Sequence, residues 1–456
     1  MGFDVIVIGS GQAGVPLATR LAELGRQVLL VERKNLGGTC INYGCTPTKT
    51  MVASARAAHV ARHAARLGVE TGKVRVDLAA VVERKNEIVR QWREGVQRRL
   101  DTTSPNLHWR YGHARFVAPR TLEVAGERYT ADVIVINTGA RHASPALPGL
   151  DAVPHLDNAS IMELRELPAH LVVLGGGYIA TEFGQMFRRF GAEVSIVQRG
   201  EHLLGREDAD IASALEDVFR KEGIQLLLGT EGKAVRRQDG DIVLELEDGH
   251  TVRGSHLLVA VGRRPNTDDL GLQAGGIQVD KRGAIVVNEQ FLTTSPGVYA
   301  VGDVIGGPQF THNSWDDHRI LYDILAGKPA RGRSGRIVPY TVFTDPQVAR
   351  VGLSETEAKE RGVEYEVATL AYEDIARAIE VDETAGLMKV LIDPRTERLL
   401  GAAIVGLEAG ELIHIFVALM QAGSTARPLV DAQAVHPTLA EGVQSLVMSL
   451  ERYALP

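Results

Sequence analysis

At 456 residues the chain is too long for one ordinary hydrophobic core, and about three domains are expected. Its composition, 45% hydrophobic and 23% charged with 48 glycines, is that of a globular protein rich in turns, and its net charge of −7 argues against nucleic acid as a partner. No apolar run nears the ~20 residues of a membrane span, and no basic leader precedes the first apolar stretch, so a cytoplasmic protein without a membrane partner is expected.

The run Asp4–Ile8 reads as a short buried strand. Gly9-Ser-Gly-Gln-Ala-Gly14 follows, then a helix over Val15–Leu24, a second strand over Gln27–Val31 and an acid, Glu32. Strand, glycine loop, helix, strand and acid in this order make a dinucleotide fingerprint. Gly9 permits the tight turn, Gly11 lets backbone approach a pyrophosphate, and Gly14 lets the helix pack on the strand. The helix N-terminus supplies N–H donors for the phosphates, and Glu32 is placed to accept from a ribose hydroxyl.

The chain has only two cysteines, Cys40 and Cys45, five positions apart. Disulfide staples would be spread over long loops. A metal site would need more ligands nearby, and no metal is expected. The pair therefore reads as a redox pair. A straight helix would separate the two Cα atoms by about 7.5 Å along its axis, and a strand by more than about 15 Å. A loop running into a helical turn brings them within bridging range. Gly44 gives that turn freedom, Pro47 suits a first helical turn, and Cys45 lies near a helix N-terminus, where the dipole favours a thiolate.

Residues 51–100 carry helical periodicity and form two long helices around Gly68–Gly72. A further apolar strand, Ala131–Asn137, ends in Thr138-Gly139-Ala140, and Pro145–Gly149 reads as a linker. The pattern then restarts about 166 positions on, with strand Leu171–Leu174, Gly175-Gly-Gly-Tyr-Ile-Ala180, a helix to about Arg189 and a strand Glu193–Val197, ending near Val261–Gly262. Two fingerprints imply two dinucleotides, FAD in one and NAD(P)H in the other, with electrons passing from nicotinamide to flavin to disulfide. The second copy ends in Gln198-Arg199 where an acid would bind a free 2′-hydroxyl. Arg199, helped by Arg206, suits a 2′-phosphate, so NADPH is preferred, with NADH possible. The strand-like Val298–Val301 leads into Gly302-Asp303, and from about Arg336 strands alternate with helices without a phosphate loop, as in an interface domain.

The segment Gly37-Gly-Thr-Cys-Ile-Asn-Tyr-Gly-Cys-Thr-Pro-Thr-Lys-Thr50 resembles the active-site motif of the flavoprotein disulfide reductases, the family of dihydrolipoamide dehydrogenase, glutathione reductase and mercuric reductase, and the resemblance covers essentially the whole chain. It implies an α/β protein with two Rossmann-like dinucleotide-binding domains plus a C-terminal α+β dimerisation domain. Residues 1–150 form the FAD-binding domain, 151–280 the NAD(P)-binding domain, 281–335 a returning FAD-binding segment and 336–456 the interface domain of a homodimer. In this resemblance Cys40 is the interchange thiol that attacks substrate, and Cys45 faces the flavin and forms a charge-transfer complex. Lys49 lies near the flavin N5, paired with a glutamate matching Glu182. Gly38, Thr39, Ala114 and Gly139 match FAD-contacting positions. Asp303 resembles the aspartate that binds the ribityl chain, and Thr311 lies near the flavin. Tyr178 matches an aromatic gate over the nicotinamide pocket, with Gly175, Gly177, Ile179 and Gly262 in the same cofactor-binding set. His436-Pro-Thr-Leu-Ala-Glu441 resembles the family's acid–base dyad, contributed from the opposite subunit. About 500° of rotation would separate His436 from Glu441 on one helix. With Pro437 opening a helix, His436 sits in the turn before it and Glu441 one turn inside, where the carboxylate orients the imidazole.

The form GCTPTK is closer to the dihydrolipoamide dehydrogenase and mercuric reductase branches than to glutathione reductases. No cysteine follows Cys45, whereas mercuric reductases and large thioredoxin reductases carry redox cysteines near the C-terminus. Gln198 and the stretch GGPQFTHNSWDDHRI depart from lipoamide dehydrogenases and resemble mercuric-reductase-like flavoproteins tied to oxidative or metal stress. There His312 and His318 either face the flavin or are exposed polar helix residues. The expected activity is transfer of electrons from NAD(P)H through FAD and the Cys40–Cys45 disulfide to a disulfide, metal ion or quinone. The alternative is the lipoamide-reducing component of a 2-oxo-acid dehydrogenase complex.

Overall fold

The computed structural model describes residues 2–453. Its chain divides into two compact units, one of Met1–Thr50, Val82–Ala143 and Gly262–Arg336, the other of Met51–Val81, Ser144–Val261 and Ile337–Pro456.

The first unit is built on a seven-stranded sheet. Strand Gly2–Ile8 lies between Val28–Glu32 and Glu127–Ile136, parallel to both, and Leu107–Tyr111 and Val298–Ala300 extend the parallel part. The antiparallel strands Thr121–Val124 and Ala114–Ala118 close the other side. Successive side chains of a strand point to opposite faces, so the continuous apolar run of the first strand marks a sheet covered on both sides. Val5 and Val7 pack with Leu17 and Leu21 of helix Gly14–Glu23, while Ile6 and Ile8 pack with Phe116 and Leu122. Helix Leu78–Thr102 belongs to this unit from Val82 onward, and helix Thr311–Leu325 packs on Gly14–Glu23.

The second unit holds a four-stranded parallel sheet, ordered Gln225–Leu228, Glu193–Gln198, His170–Leu174, His256–Val259, with helices Tyr178–Phe190 and Ala209–Lys221. A three-stranded antiparallel sheet spans Gly232–Gly254. The same unit contains a five-stranded antiparallel sheet, ordered Tyr340–Val342, Gln347–Gly352, Leu399–Gly406, Leu387–Ile392, Glu366–Ala371. Its core includes Tyr372, Ile404 and Phe416, with Val443 and Leu446 of helix Ala440–Met448. The repeated strand–loop–helix–strand units and the α+β C-terminal region are the expected fold class. The two long helices expected over 51–100 are Cys45–His63 and Leu78–Thr102.

Candidate active site

The first glycine loop is shaped by contacts that leave no room for side chains. A Cβ on Gly14 would stand 2.1 Å from the carbonyl oxygen of Gly9. The loop is covered by Gly38, whose Cβ would meet the Cα of Gly11 at 2.6 Å. Helix Gly14–Glu23 has no side-chain cap. Turned to accept, the amide oxygen of Asn137 takes the N–H of Gly14 at 2.9 Å. Glu32 is buried at the end of its strand, its carboxylate accepting from the Ser10 hydroxyl at 2.6 Å and the Lys34 N–H at 2.8 Å. A backbone-lined cradle at a helix N-terminus, with a fixed carboxylate beside it, fits the pyrophosphate and ribose of FAD. Gly139, at positive φ, precedes the short strand Ala140–His142, and buried Ala114 opens a strand on the antiparallel edge. Asp303, in the turn Gly302–Ile305, pairs with Arg263 at 2.7 Å, a partner that sequence reading missed. Gly302 donates its N–H to the buried carboxylate of Asp317 at 2.7 Å, and Asp317 is paired in turn with Arg336 at 2.6 Å, so the turn that carries Asp303 is held from behind.

The two cysteines stand where two helices meet. Thr39 and Cys40 lie on the short helix Gly38–Asn42, and Cys45 is the first residue of Cys45–His63, with Pro47 in its first turn and Lys49 one turn on. Gly44 does not take a left-handed conformation. The close approach disfavours a side chain there: a Cβ would stand 3.0 Å from the Thr39 carbonyl and 3.3 Å from the Cys40 Cα. Neither cysteine is in a disulfide, and a side-chain hydrogen bond links the two thiols. That bond with Cys45, and then burial, push the Cys40 thiol far above its ordinary range, against the opposing pull of Thr311 and Lys49. Cys45 Sγ lies 3.2 Å from Thr311 Oγ1. Asn42 anchors the short helix, donating to the carbonyls of Leu36 and Gly38 and accepting from Arg93 at 2.6 Å. His312 is exposed and stacked on Phe310. His318 is not an exposed helix residue. It is 2% exposed, edge-on to Trp315, and burial, then Arg20, drop its imidazole to about 4.

At the second loop Gly175 takes φ +112 and Gly177 faces open space, with Tyr178 and Ile179 opening the uncapped helix Tyr178–Phe190. That surface fits a second pyrophosphate. The following loop folds over it: Leu204 donates its N–H to the Gly176 carbonyl at 2.8 Å, and the side chain of Gln198 lies against Gly176. Arg199 and Arg206 are exposed on this loop. Gly262 stands at φ +136, its carbonyl accepting from Ala143 at 2.9 Å. Glu182 is buried and accepts from the Phe343 N–H at 2.8 Å.

Near the C-terminus His436 Nδ1 lies 2.8 Å from Glu441 Oε2, with the imidazole 71% exposed. The carboxylate fixes the proton on Nδ1 and leaves Nε2 toward solvent. Pro437 does not open the helix, which begins at Ala440 and places Glu441 in its first turn. Thr438, just before the N-cap Leu439, accepts the Glu441 N–H through its hydroxyl at 3.1 Å.

Among the described residues no group of three or more His, Cys, Asp or Glu is placed to hold a metal ion, and no helix is long and apolar enough to cross a membrane.

Residues 3–317 match the family model described as pyridine nucleotide-disulphide oxidoreductase, and 338–447 match the dimerisation domain of the same family. The chain is 34% identical to a mercuric reductase of Staphylococcus aureus, over 99% of this chain and 83% of that one. It is 36% identical to a dihydrolipoyl dehydrogenase of Thermus scotoductus, over 99% and 98%. A solved Cu(II) complex of the HOCl-induced flavoprotein disulfide reductase RclA from Escherichia coli superposes with a TM-score of 0.90 at 35% identity, covering 98% of this chain and 99% of that one. The chain belongs to the pyridine nucleotide-disulphide oxidoreductases, flavoprotein enzymes that use FAD, NAD(P)H and a redox-active disulfide.

Proposed function

We propose that this protein is a homodimeric, cytoplasmic, NADPH-dependent reductase whose Cys40–Cys45 pair delivers electrons to a soft or borderline metal ion, Cu(II) foremost. FAD held at the Gly9–Gly14 loop and Glu32 would supply the redox chemistry that links the nicotinamide to the Cys40–Cys45 disulfide. The observation that carries the reading is the thiol pair itself, one member on a short anchored helix and the other at the first residue of the next, against Thr311. Each reduced pair gives one electron to each of two Cu(II) ions. Two Cu(I) form, the S–S bond closes and two protons leave. Cys40 holds its proton tightly, so its reaction calls for a base. His436, with Nδ1 turned to Glu441 and Nε2 facing solvent, is suited to take that proton, and the dimerisation domain supports its doing so for the thiols of a second chain. The mercuric reductase relative and the Cu(II)-bound RclA support a metal-ion acceptor. The loop over Gly176, with Arg199 and Arg206 on it, supports NADPH.

NADPH oxidation should be followed with Cu(II), Hg(II), lipoamide, glutathione disulfide and quinones in parallel. Cu(II) should give the highest kcat/KM, and Cys40→Ser should remove that activity. Faster turnover of lipoamide would instead favour the dihydrolipoamide dehydrogenase reading, which the Thermus scotoductus relative supports.

A further inference from the structure

The helix that begins with Cys45 carries two histidines at its other end. His59 and His63 stand one turn apart, where side chains share a helix face. Their ring centroids are 4.2 Å apart and the planes are inclined by 36°. His63 Nδ1 lies 2.8 Å from the His59 carbonyl oxygen. A carbonyl only accepts, so this Nδ1 carries the proton and the lone pair of the neutral ring sits on Nε2. His59 Nδ1 faces the carboxylate of Glu222 at 4.0 Å. Imidazoles that bind metals donate their other ring N–H to a carbonyl or carboxylate, as His63 does. His63 is exposed and the His59 side chain is 22% exposed, so a small cation can reach both rings.

We propose that His59 and His63 form a two-imidazole binding site for Cu(II), distinct from the thiol pair. The two rings supply nitrogen donors, and water fills the remaining positions, since no third protein ligand completes a shell among the described residues. A structural zinc site would require a closed four-ligand shell. Nitrogen and oxygen donors in an open arrangement suit tetragonal Cu(II), which also heads the affinity order of the first-row divalent ions. With fourteen positions between them, His59 lies roughly 20 Å along the helix from Cys45. The ion held here is therefore parked away from the thiols and takes no electron from them directly.

The test uses the untagged, oxidised flavoprotein without NADPH, titrated with Cu(II) chloride and followed by equilibrium dialysis and electron paramagnetic resonance. One Cu(II) per chain is expected, with superhyperfine splitting from two imidazole nitrogens. His63→Ala should weaken binding by about tenfold or more and remove that splitting, while leaving NADPH–ferricyanide turnover unchanged. A Cys40→Ser/Cys45→Ser double variant should keep the signal, which separates this site from the reductase reading. Absence of such a Cu(II) species in the wild type, or an unchanged affinity and spectrum in His63→Ala, overturns the proposal and leaves the role of the thiols untouched.

Discussion

Cys40 is held protonated by its hydrogen bond with Cys45 and by burial, whereas Cys45 is exposed at the start of its helix, 3.2 Å from the Thr311 hydroxyl. The dipole of a nineteen-residue helix favours the thiolate at that first position. On the reading proposed above, Cys45 is the thiol that lies beside the flavin. On partial reduction a broad long-wavelength absorbance band should develop, persist in Cys40→Ser and vanish in Cys45→Ser, as visible spectroscopy will show. At the dyad, His436→Gln should slow acceptor reduction by about 10²–10⁴-fold, with NADPH reducing the flavin at an unaltered rate in stopped flow. Glu441→Gln keeps a hydrogen-bond acceptor without the charge and should lose less. The thiols and the dyad were legible in sequence because each is a short local pattern. Asn42 and Arg93 were not, because the contact that anchors the thiol helix joins residues 51 positions apart. Arg263 escaped for the same reason, since its partner Asp303 comes from a different element.

Helices and strands fell close to their expected places where glycine loops and apolar runs punctuate the chain. The last helix starts at Ala440, three residues after the Pro437 expected to open it, with the Thr438 hydroxyl accepting the Glu441 N–H. The nucleotide loop after Glu193–Gln198 is pinned by the Leu204 N–H on Gly176 and the Leu203 N–H on buried Glu216. Arg199 and Arg206 thus project from a fixed backbone. A charge-assisted bond to a 2′-phosphate contributes roughly 1.5–3 kcal/mol, less where solvent screens it. Arg199→Ala should lower the NADPH-to-NADH ratio of kcat/KM by about tenfold or somewhat less, and an unmoved ratio would make Arg199 a mere surface charge. Helix Tyr178–Phe190 also ends in a buried ion cluster. Arg189, 6% exposed, binds Glu222 at 2.6 Å and pairs with Asp345, which Arg56 shares. Arg189→Leu leaves the largely buried Glu222 without its guanidinium and Asp345 with Arg56 alone, and should destabilise the protein by about 1–3 kcal/mol in chemical denaturation. Burial pushes the Asp345 carboxyl up, but Arg189 and Arg56 outweigh it and hold the group below its usual range. A depressed carboxyl stabilises the fold above its unfolded value and loses that contribution as pH falls through its folded value. The stabilisation should be complete at neutral pH, fade below about pH 4, and be missing from the acid limb of the variant's stability curve.

The molecule as a whole has a dimerisation domain at residues 338–447, and the exposed His436 lies inside it. If each histidine serves the thiols of the other chain, a Cys40→Ser dimer turns over no acceptor and a His436→Gln dimer does so only at its strongly slowed rate. A mixed dimer of the two should regain about half the wild-type rate through its one intact pairing, whereas a histidine acting within its own chain leaves the mixed dimer strongly slowed. The most direct measurement of the thiols' role needs no knowledge of the acceptor. It is an anaerobic reductive titration of the flavoprotein with dithionite, read by flavin absorbance. The wild type should take up two electron pairs per chain, one for FAD and one for the Cys40–Cys45 disulfide, and Cys45→Ser should take up one. Uptake of a single pair by the oxidised wild type would contradict a redox-active cysteine pair.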